Sequence, residues 1–419
     1  MEKIIINGGT TLNGEVTISS AKNSVLPIIA ACILCPDECT IEGAPMLEDV
    51  FVICSVLKDL GCNVEIDRIN NSISINSKNI MRKEPNMELV RKMRASFLIM
   101  GPMLARFGVF KLSMPGGCNI GNRPIDLHLK GLKALGANVD TQHGFVQVEG
   151  RKLTGCKINL DFPSVGATEN IMMAAVFAEG TTIIQNAAEE PEIIDLANFL
   201  NSMGARIIGA GTGSITIHGV TSLHKTVYEP IFDRIEAGTF MACAGITRSK
   251  FKINGVNEEH LRPIISKLSE SGIYIDTKGE TMIVDGRDCH KAVDIKTLPY
   301  PGFPTDMQAQ MMSMLSTIEG TSIITETVFE NRFMQVPELT RMGANIKIDG
   351  RVAVIDGVKK LTGCEVKATD LRAGAALIIA GLGAQGMTTI NDIYHIDRGY
   401  MEIEKKLKGL GADINRIHI

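Results

Sequence analysis

The stretch "LKDLGCNVEI" at residues 57–66 returns five more times along the chain. The copies are "LKALGANVDT" (132–141), "LNSMGARIIG" (200–209), "LSESGIYIDT" (268–277), "LTRMGANIKI" (339–348) and "LKGLGADINR" (407–416). Each joins the last apolar turn of a helix to a glycine and then to alternating apolar residues. A glycine closing a helix takes the left-handed conformation, and the alternation after it has the period of a strand. The glycines at 61, 136, 204, 272, 343 and 411 stand about 70 residues apart, which marks internal repeats of one supersecondary unit.

A second signal precedes each glycine by roughly 40 to 50 residues, an apolar helix that opens on polar or charged residues. The six are "SAKNSVLPIIAA", "VRKMRASFLIM", "SVGATENIMMAA", "DRIEAGTFMACA", "PTDMQAQMMSML" and "TDLRAGAALIIA". Short strand signals such as "GTTIIQNA" and "GTSIITET" connect the two helices. The unit reads helix, strand, helix, glycine cap, hairpin, strand. The first helices are apolar nearly all round and rich in Ala, Met and Gly, so they are expected to be buried. The second helices carry charge on one side and are expected to face solvent.

The sixth unit lacks its hairpin and last strand, and both reappear at the other end. "KIIINGGTTLNGEVTISSAKN" (3–23) parallels "RVAVIDGVKKLTGCEVKATDLR" (351–372), with a shared L-[TN]-G-x-V core. The first 20 or so residues are therefore expected to complete unit six. An α/β protein of two three-unit domains follows, 22–229 and 230–419 completed by residues 1–21, with a cleft between them. The polar helix starts would supply several N-termini for anions at one face.

Lys plus Arg is 43 and Asp plus Glu is 47 in 419 residues, so bulk charge does not point to nucleic acid or an anionic membrane. Trp is absent and aromatics are 5%, which argues against base-stacking surfaces. "MEKIIINGG" is too short for a signal peptide and no stretch reaches the ~20 apolar residues of a membrane span, so a cytoplasmic address is expected. Ten cysteines without a secretory signal read as free thiols. Cys32 and Cys35 form a C-x-x-C inside the apolar run "AACILC", with no second ligand pair, so no metal is expected.

Residues at the same repeat position would share a structural job if the units were scaffold alone. Here they differ: Lys22-Asn23, Arg94, Ser164, Asp233-Arg234, Asp306 and Arg372. Arg123, Arg332 and Arg398 stand before the second helices of units two, five and six. Together with Lys22 and Arg372 they could surround a small polyanion, since guanidinium forks bind such groups in pairs of charge-assisted bonds. Cys118, in "PGGCNIGNRPIDLH" (115–128), sits among glycines and not on an apolar face.

"SAKNSVLPIIAA", "GGCNIGNRPIDLH", "PGFPTDMQAQ", "ENRFMQVPEL", "TDLRAGAAL" and "HIDRGY" resemble the enolpyruvyl transferase family, and within it the members that use UDP-N-acetylglucosamine. The resemblance runs the whole length. It implies a pair of inside-out α/β domains and transfer of enolpyruvyl from phosphoenolpyruvate to the sugar 3-hydroxyl, with release of phosphate and no cofactor. It implies Cys118 as the thiol acid, on a lid that closes after the nucleotide binds, and Asp306 as the base. Lys22, Arg123 and Arg398 match the cations around phosphoenolpyruvate, and Arg332 and Arg372 belong to the same shell. Asn23, Arg94, Arg123, Pro124, Ile125, Asp126, Leu127, Ser164, Val165, Gly166 and Val328 match substrate contacts. Phe162 and Pro163 depart from members that carry a lysine near the diphosphate. The shikimate-pathway transferase shares the fold and the lysine–arginine shell but lacks the cysteine loop. A non-catalytic UDP-sugar-binding relative should have lost Cys118, Asp306 or Lys22, and a cyclase-like relative would need a histidine nucleophile and a basic groove. The partners implied are the two small substrates, acting on a monomer.

Overall fold

Six sheets and six apolar helices account for the architecture of the computed structural model, which describes residues 2–114 and 125–418. Cys118, Arg123 and Pro124 lie outside the described residues. All six cap glycines have positive φ, from 94° at Gly411 to 110° at Gly61, a conformation that would strain any residue with a Cβ. Five are followed by a hairpin, as in Asn63–Asp67 with Ser72–Asn76 and Asn345–Asp349 with Val352–Asp356, and the strand after Gly411 pairs instead with Glu2–Asn7.

The hairpin's second strand pairs antiparallel with the strand that follows the unit's first helix, such as Glu38–Ile41 on Ser72–Asn76. In five of the six described sheets a short fourth strand pairs parallel on the outer edge of that one and comes from another unit, whereas the sheet of unit two has three strands, all its own. Lys157–Asn159 leaves unit two and joins Thr181–Gln185 of unit three. Ile295–Lys296 and Glu365–Lys367 make the same step into units five and six. Val227–Tyr228 leaves unit three and returns to Glu38–Ile41 of unit one.

The N-terminal residues divide between two sheets. Glu2–Asn7 lies between Met387–Asn391 and Asp413–His418, antiparallel to both, and supplies the central strand of unit six. Glu15–Thr17 goes on to unit four, parallel to Lys250–Asn254. The N-terminal segment thus completes unit six, and its second strand, like the last strands of units two, four and five, is spent on the sheet of another unit, here unit four. The described residues form two compact units, residues 20–114 with 125–231, and residues 2–19 with 232–418.

Inside each unit the first helices are packed together behind the sheets. Every residue of Arg234–Ile246 is buried, including Arg234 and Glu236, and this helix packs on Gln308–Leu315 and Leu371–Gly383. Small residues permit the approach: a Cβ on Gly245 would fall 2.4 Å from the sulfur of Met314. Methionine then fills the irregular space between the helices. The helix starts are capped where the sequence placed acids and serines. Asp233 accepts from the amides of Ile235 and Glu236, Asp370 from those of Arg372 and Ala373, and Ser164 from that of Ala167.

The strand exchange generates a test. Residues 232–418 alone lack the middle strand of one sheet and the edge strand of another, so their cooperative thermal unfolding should be lost. Glu2 and His418 face each other across an antiparallel pair, so a short turn can join the two ends. A permuted fragment that runs 232–418, a short glycine-containing turn, then 2–19 should recover a single sharp transition in calorimetry. A sharp transition in 232–418 without the added strands would refute the strand-sharing account.

Candidate active site

Asp306 lies in the 3-10 turn Thr305–Met307 that opens unit five's buried helix, and two arginines converge on it. Arg332 donates from Nη2 to Oδ1 at 2.7 Å. Arg372 donates from Nη2 to Oδ2 at 2.8 Å and from Nε at 3.3 Å. Both guanidinium groups are buried, at 6% and 4% side-chain exposure, whereas Asp306 keeps 25%. Burial by itself would raise the Asp306 carboxyl, but Arg372 and then Arg332 override it and hold the group well below the usual carboxylate range. A carboxyl held so low is a weak base as long as both cations face it.

The arginines are fixed from behind. Arg332 Nη1 donates to Thr305 Oγ1 at 3.0 Å, and Arg372 lies over the ring of buried Tyr400, 5.4 Å from its centroid. The Tyr400 hydroxyl lies 2.9 Å from Thr239 Oγ1 and accepts from Gln310 at 3.2 Å, and Gln310 also donates to the Asp306 carbonyl at 2.8 Å. Arg332 Nε and Arg372 Nη1 are buried and have no hydrogen-bond partner among the described residues. Two buried cationic donors left over beside Asp306 are suited to an incoming anion. Arg398 follows the short helix Tyr394–Asp397, which packs on Leu371–Gly383. Asp397, just before it, is tied to Arg416, which also binds Glu404 and Glu2.

In the other unit Lys22 is the first residue of Lys22–Ala31, and its Nζ lies 2.7 Å from a buried Asp49 carboxylate. Asn23 is exposed beside it. Ser24 donates to buried Asp195, which also accepts from the Tyr228 hydroxyl and the Ile231 amide. Burial raises the Asp195 carboxyl, and the bonds from Ser24 and Tyr228 offset part of that rise.

Arg94 opens the 3-10 helix Arg94–Ile99, Ile125 precedes helix Asp126–Ala134, and Ser164, Val165 and Gly166 form the start of Val165–Ala175. His128 connects these three places. Its Nδ1 lies 3.1 Å from Asn170 Nδ2, its ring stands edge-on to Phe97, and a Cβ on Gly166 would fall 3.2 Å from its Cε1. Burial, with a further push from Arg94, lowers its pKa to about 3, so the ring is neutral at working pH. Asn170 also accepts from the Gly101 amide and donates to the Phe97 carbonyl. Phe162 is 45% exposed and carries no charge, in keeping with its departure from a lysine.

The structure thus brings Asp306, Arg332 and Arg372 into one cluster, with Val328 on the loop that leads to Arg332, and it gathers Arg94, Ile125, Asp126, Leu127, Ser164, Val165 and Gly166 around neighbouring helix starts of the other unit. Sequence reading passed over Asp49, His128, Asn170, Glu326 and Tyr400. Asp49 reads as an ordinary first-turn acid, and Asn170 sits inside an apolar helix where periodicity says nothing about its partner. The tyrosine of "HIDRGY" stood two residues from Arg398 and could have been weighed as its neighbour's support. Cys32 and Cys35 are buried free thiols.

Residues 6–407 match the family described as EPSP synthase (3-phosphoshikimate 1-carboxyvinyltransferase). The chain is 69% identical over 417 residues to UDP-N-acetylglucosamine 1-carboxyvinyltransferase 2 of Clostridium tetani, covering 100% of both chains. It is 65% identical to UDP-N-acetylglucosamine 1-carboxyvinyltransferase 1 of Clostridium acetobutylicum, again over 100% of both. Among solved structures, the enolpyruvyl transferase NikO of Streptomyces tendae superposes with a TM-score of 0.90 at 26% identity, over 99% of this chain and 98% of that one. EPSP synthase of Acinetobacter baumannii shares the fold, with a TM-score of 0.75 at 17% identity and 100% coverage of both. With two three-unit bodies, a carboxylate set between two buried arginines, and relatives matched from end to end, the chain belongs to the enolpyruvyl transferase family, in its UDP-N-acetylglucosamine 1-carboxyvinyltransferase branch.

Proposed function

We propose that the protein transfers the enolpyruvyl group of phosphoenolpyruvate to the 3-hydroxyl of UDP-N-acetylglucosamine and releases phosphate, the step that opens peptidoglycan synthesis. The observation that carries this reading is the 69% identity, end to end, to a relative named for that activity. Asp306 between Arg332 and Arg372 supplies the chemistry beside it. The sugar oxygen forms a bond to C2 of phosphoenolpyruvate as its proton leaves to a base and C3 takes a proton from an acid. The tetrahedral ketal then loses phosphate and a methyl proton, which restores the double bond. Cys118 is the acid by its motif position, and Asp306 the base. Lys22, Arg123 and Arg398 hold phosphoenolpyruvate, and Arg332 and Arg372 face charge that develops on phosphate. Asn23, Arg94, Pro124, Ile125, Asp126, Leu127, Ser164, Val165, Gly166 and Val328 receive the substrates.

The low basicity of Asp306 has a remedy in this scheme. An arriving anion competes for Arg332 and Arg372, so their field at Asp306 weakens and its carboxyl rises toward the ordinary value. Substrate binding then creates the base that the reaction needs. Each compact unit is a domain, the enzyme acts as a cytoplasmic monomer, and no described helix is long and apolar enough to cross a membrane.

Phosphate release from phosphoenolpyruvate should depend on UDP-N-acetylglucosamine, and shikimate 3-phosphate should not replace it. Release with shikimate 3-phosphate alone would reassign the protein to the other branch. Asp306→Asn should lower turnover by about a hundredfold or more, with little change in nucleotide affinity. The same change leaves two buried guanidinium groups without a counter-charge. Breaking a buried ion pair costs about 3–5 kcal/mol, and less where one partner is partly exposed, so the variant should melt lower. Phosphoenolpyruvate should raise the melting temperature of Asp306→Asn more than that of the parent, because it no longer competes with a carboxylate. An equal or smaller rise would mean that the anion does not engage these arginines.

Cys118 should be alkylated selectively by a small anionic epoxide of the fosfomycin type, and faster when UDP-N-acetylglucosamine is present. Peptide mapping by mass spectrometry reads both points. Labelling spread over several cysteines, or slowed by the nucleotide, would remove the thiol from the mechanism.

A further inference from the structure

Glu326 is fully buried at the end of strand Thr321–Thr325, and no step above uses it. Its two carboxylate oxygens have separate duties. Oε1 accepts from Thr297 Oγ1 at 2.8 Å, from the Val328 amide at 2.8 Å and from the Phe329 amide at 3.1 Å. Oε2 accepts from Thr305 Oγ1 at 2.8 Å. Thr305 in turn accepts from Arg332 Nη1 at 3.0 Å, and Arg332 Nη2 reaches Asp306 at 2.7 Å.

The direction of these bonds is forced at both ends. A carboxylate oxygen only accepts and a guanidinium only donates, so the hydroxyl between them is the one member able to do both. Its single proton goes to Glu326, and a lone pair is thereby presented to Arg332. We infer that Glu326 is a positioning residue for the reaction, acting through Thr305 to fix the Arg332 guanidinium against Asp306. The inference rests on the reading of Asp306 and Arg332 as working groups. It goes beyond a loop staple, because the three bonds on Oε1 would hold residues 326–329 without any contact to Thr305.

Glu326→Gln separates the two duties. The three donors on Oε1 select the amide oxygen for that side, so the amide nitrogen faces Thr305 and donates to it. The hydroxyl proton must then turn away from the position of Oε2, and the polarised acceptor that Arg332 uses is lost. Thr305→Val removes the same link and leaves all three bonds on Oε1 in place.

The experiment measures turnover and KM in the full chain for Glu326→Gln, Thr305→Val and the double variant, with Thr305→Ser as the conservative rescue and Thr297→Val as a control. Glu326→Gln and Thr305→Val should each lower kcat about ten- to a hundredfold, the worth of one hydrogen bond to a charged group. The double variant should lose no more than either alone. KM for UDP-N-acetylglucosamine should stay within about twofold, the mark of an interaction that does not serve substrate binding. Thr305→Ser should restore turnover, and Thr297→Val should melt lower with parental turnover. Parental turnover in Thr305→Val, or losses that multiply in the double variant, would overturn the inference.

If the parent protein releases no phosphate, the functional reading fails, and the relay is then judged by carbon NMR titration of the Asp306 carboxyl. The charged and titratable groups facing this cluster are Arg332, Arg372, Asp233 and Tyr400. A weaker Arg332 contact lifts the Asp306 pKa, so Thr305→Val should titrate higher than the parent. An unchanged titration would overturn the relay.

Discussion

Five of the six described sheets are completed by a strand from another repeat, and the rest of the architecture follows from that exchange. A strand edge left open is a row of unpaired amides and carbonyls, and five units cover it with a short parallel strand from another unit, while the sheet of unit two stops at three strands. Three units in sequence leave one edge open and one strand unspent, and both conditions are met by turning the third back on the first. Val227–Tyr228 does this for one body and Glu15–Thr17 for the other. Closure gathers three apolar helices behind the sheets of each ring. Their starts, and the short turns that precede them, are where the polar residues stand.

That closure also explains why unlike residues occupy like positions. A helix start needs a cap, and Asp233, Asp370 and Ser164 serve as caps. Asp306 does not cap its helix by a side-chain bond. Its carboxylate is turned instead to two arginines, Arg332 from the loop after its own unit's strand and Arg372 from the start of unit six. The repeat supplies the scaffold, and the departures from it supply the chemistry.

The division between legible and illegible features follows the same line. Six glycine caps, six buried helices and the crossing of N-terminal strands into the other end of the chain were open to reading, because left-handed glycines and apolar periodicity are local signals. The destination of Glu15–Thr17 was not, since a three-residue strand carries no mark of which sheet it will join. Asp306, Arg332 and Arg372 could be named from the repeat positions and the family resemblance. Their mutual pairing could not, because it depends on where residues 66 positions apart come to lie. His128 stands inside the "RPIDLH" run, yet its burial against Phe97 and Gly166 is a fact of packing alone.

A buried arginine pair is a costly thing to build around one carboxylate. Each cation loses its water, and Asp306 is shared between them, with the charge of Asp233 adding to it at Arg372. Within the fold Tyr400 offsets part of this for Arg372 through its ring, and the Thr305–Glu326 link does so for Arg332 through a polarised hydroxyl. These supports use neutral faces or a second, separated carboxylate, and none of them neutralises the cluster by direct contact. A carboxylate placed directly on each arginine would have been more stable and would have left nothing for a substrate anion to displace. The arrangement holds the cations firmly in position while leaving one donor on each unpaired, and that combination lets one anion's arrival both bind and alter the basicity of Asp306.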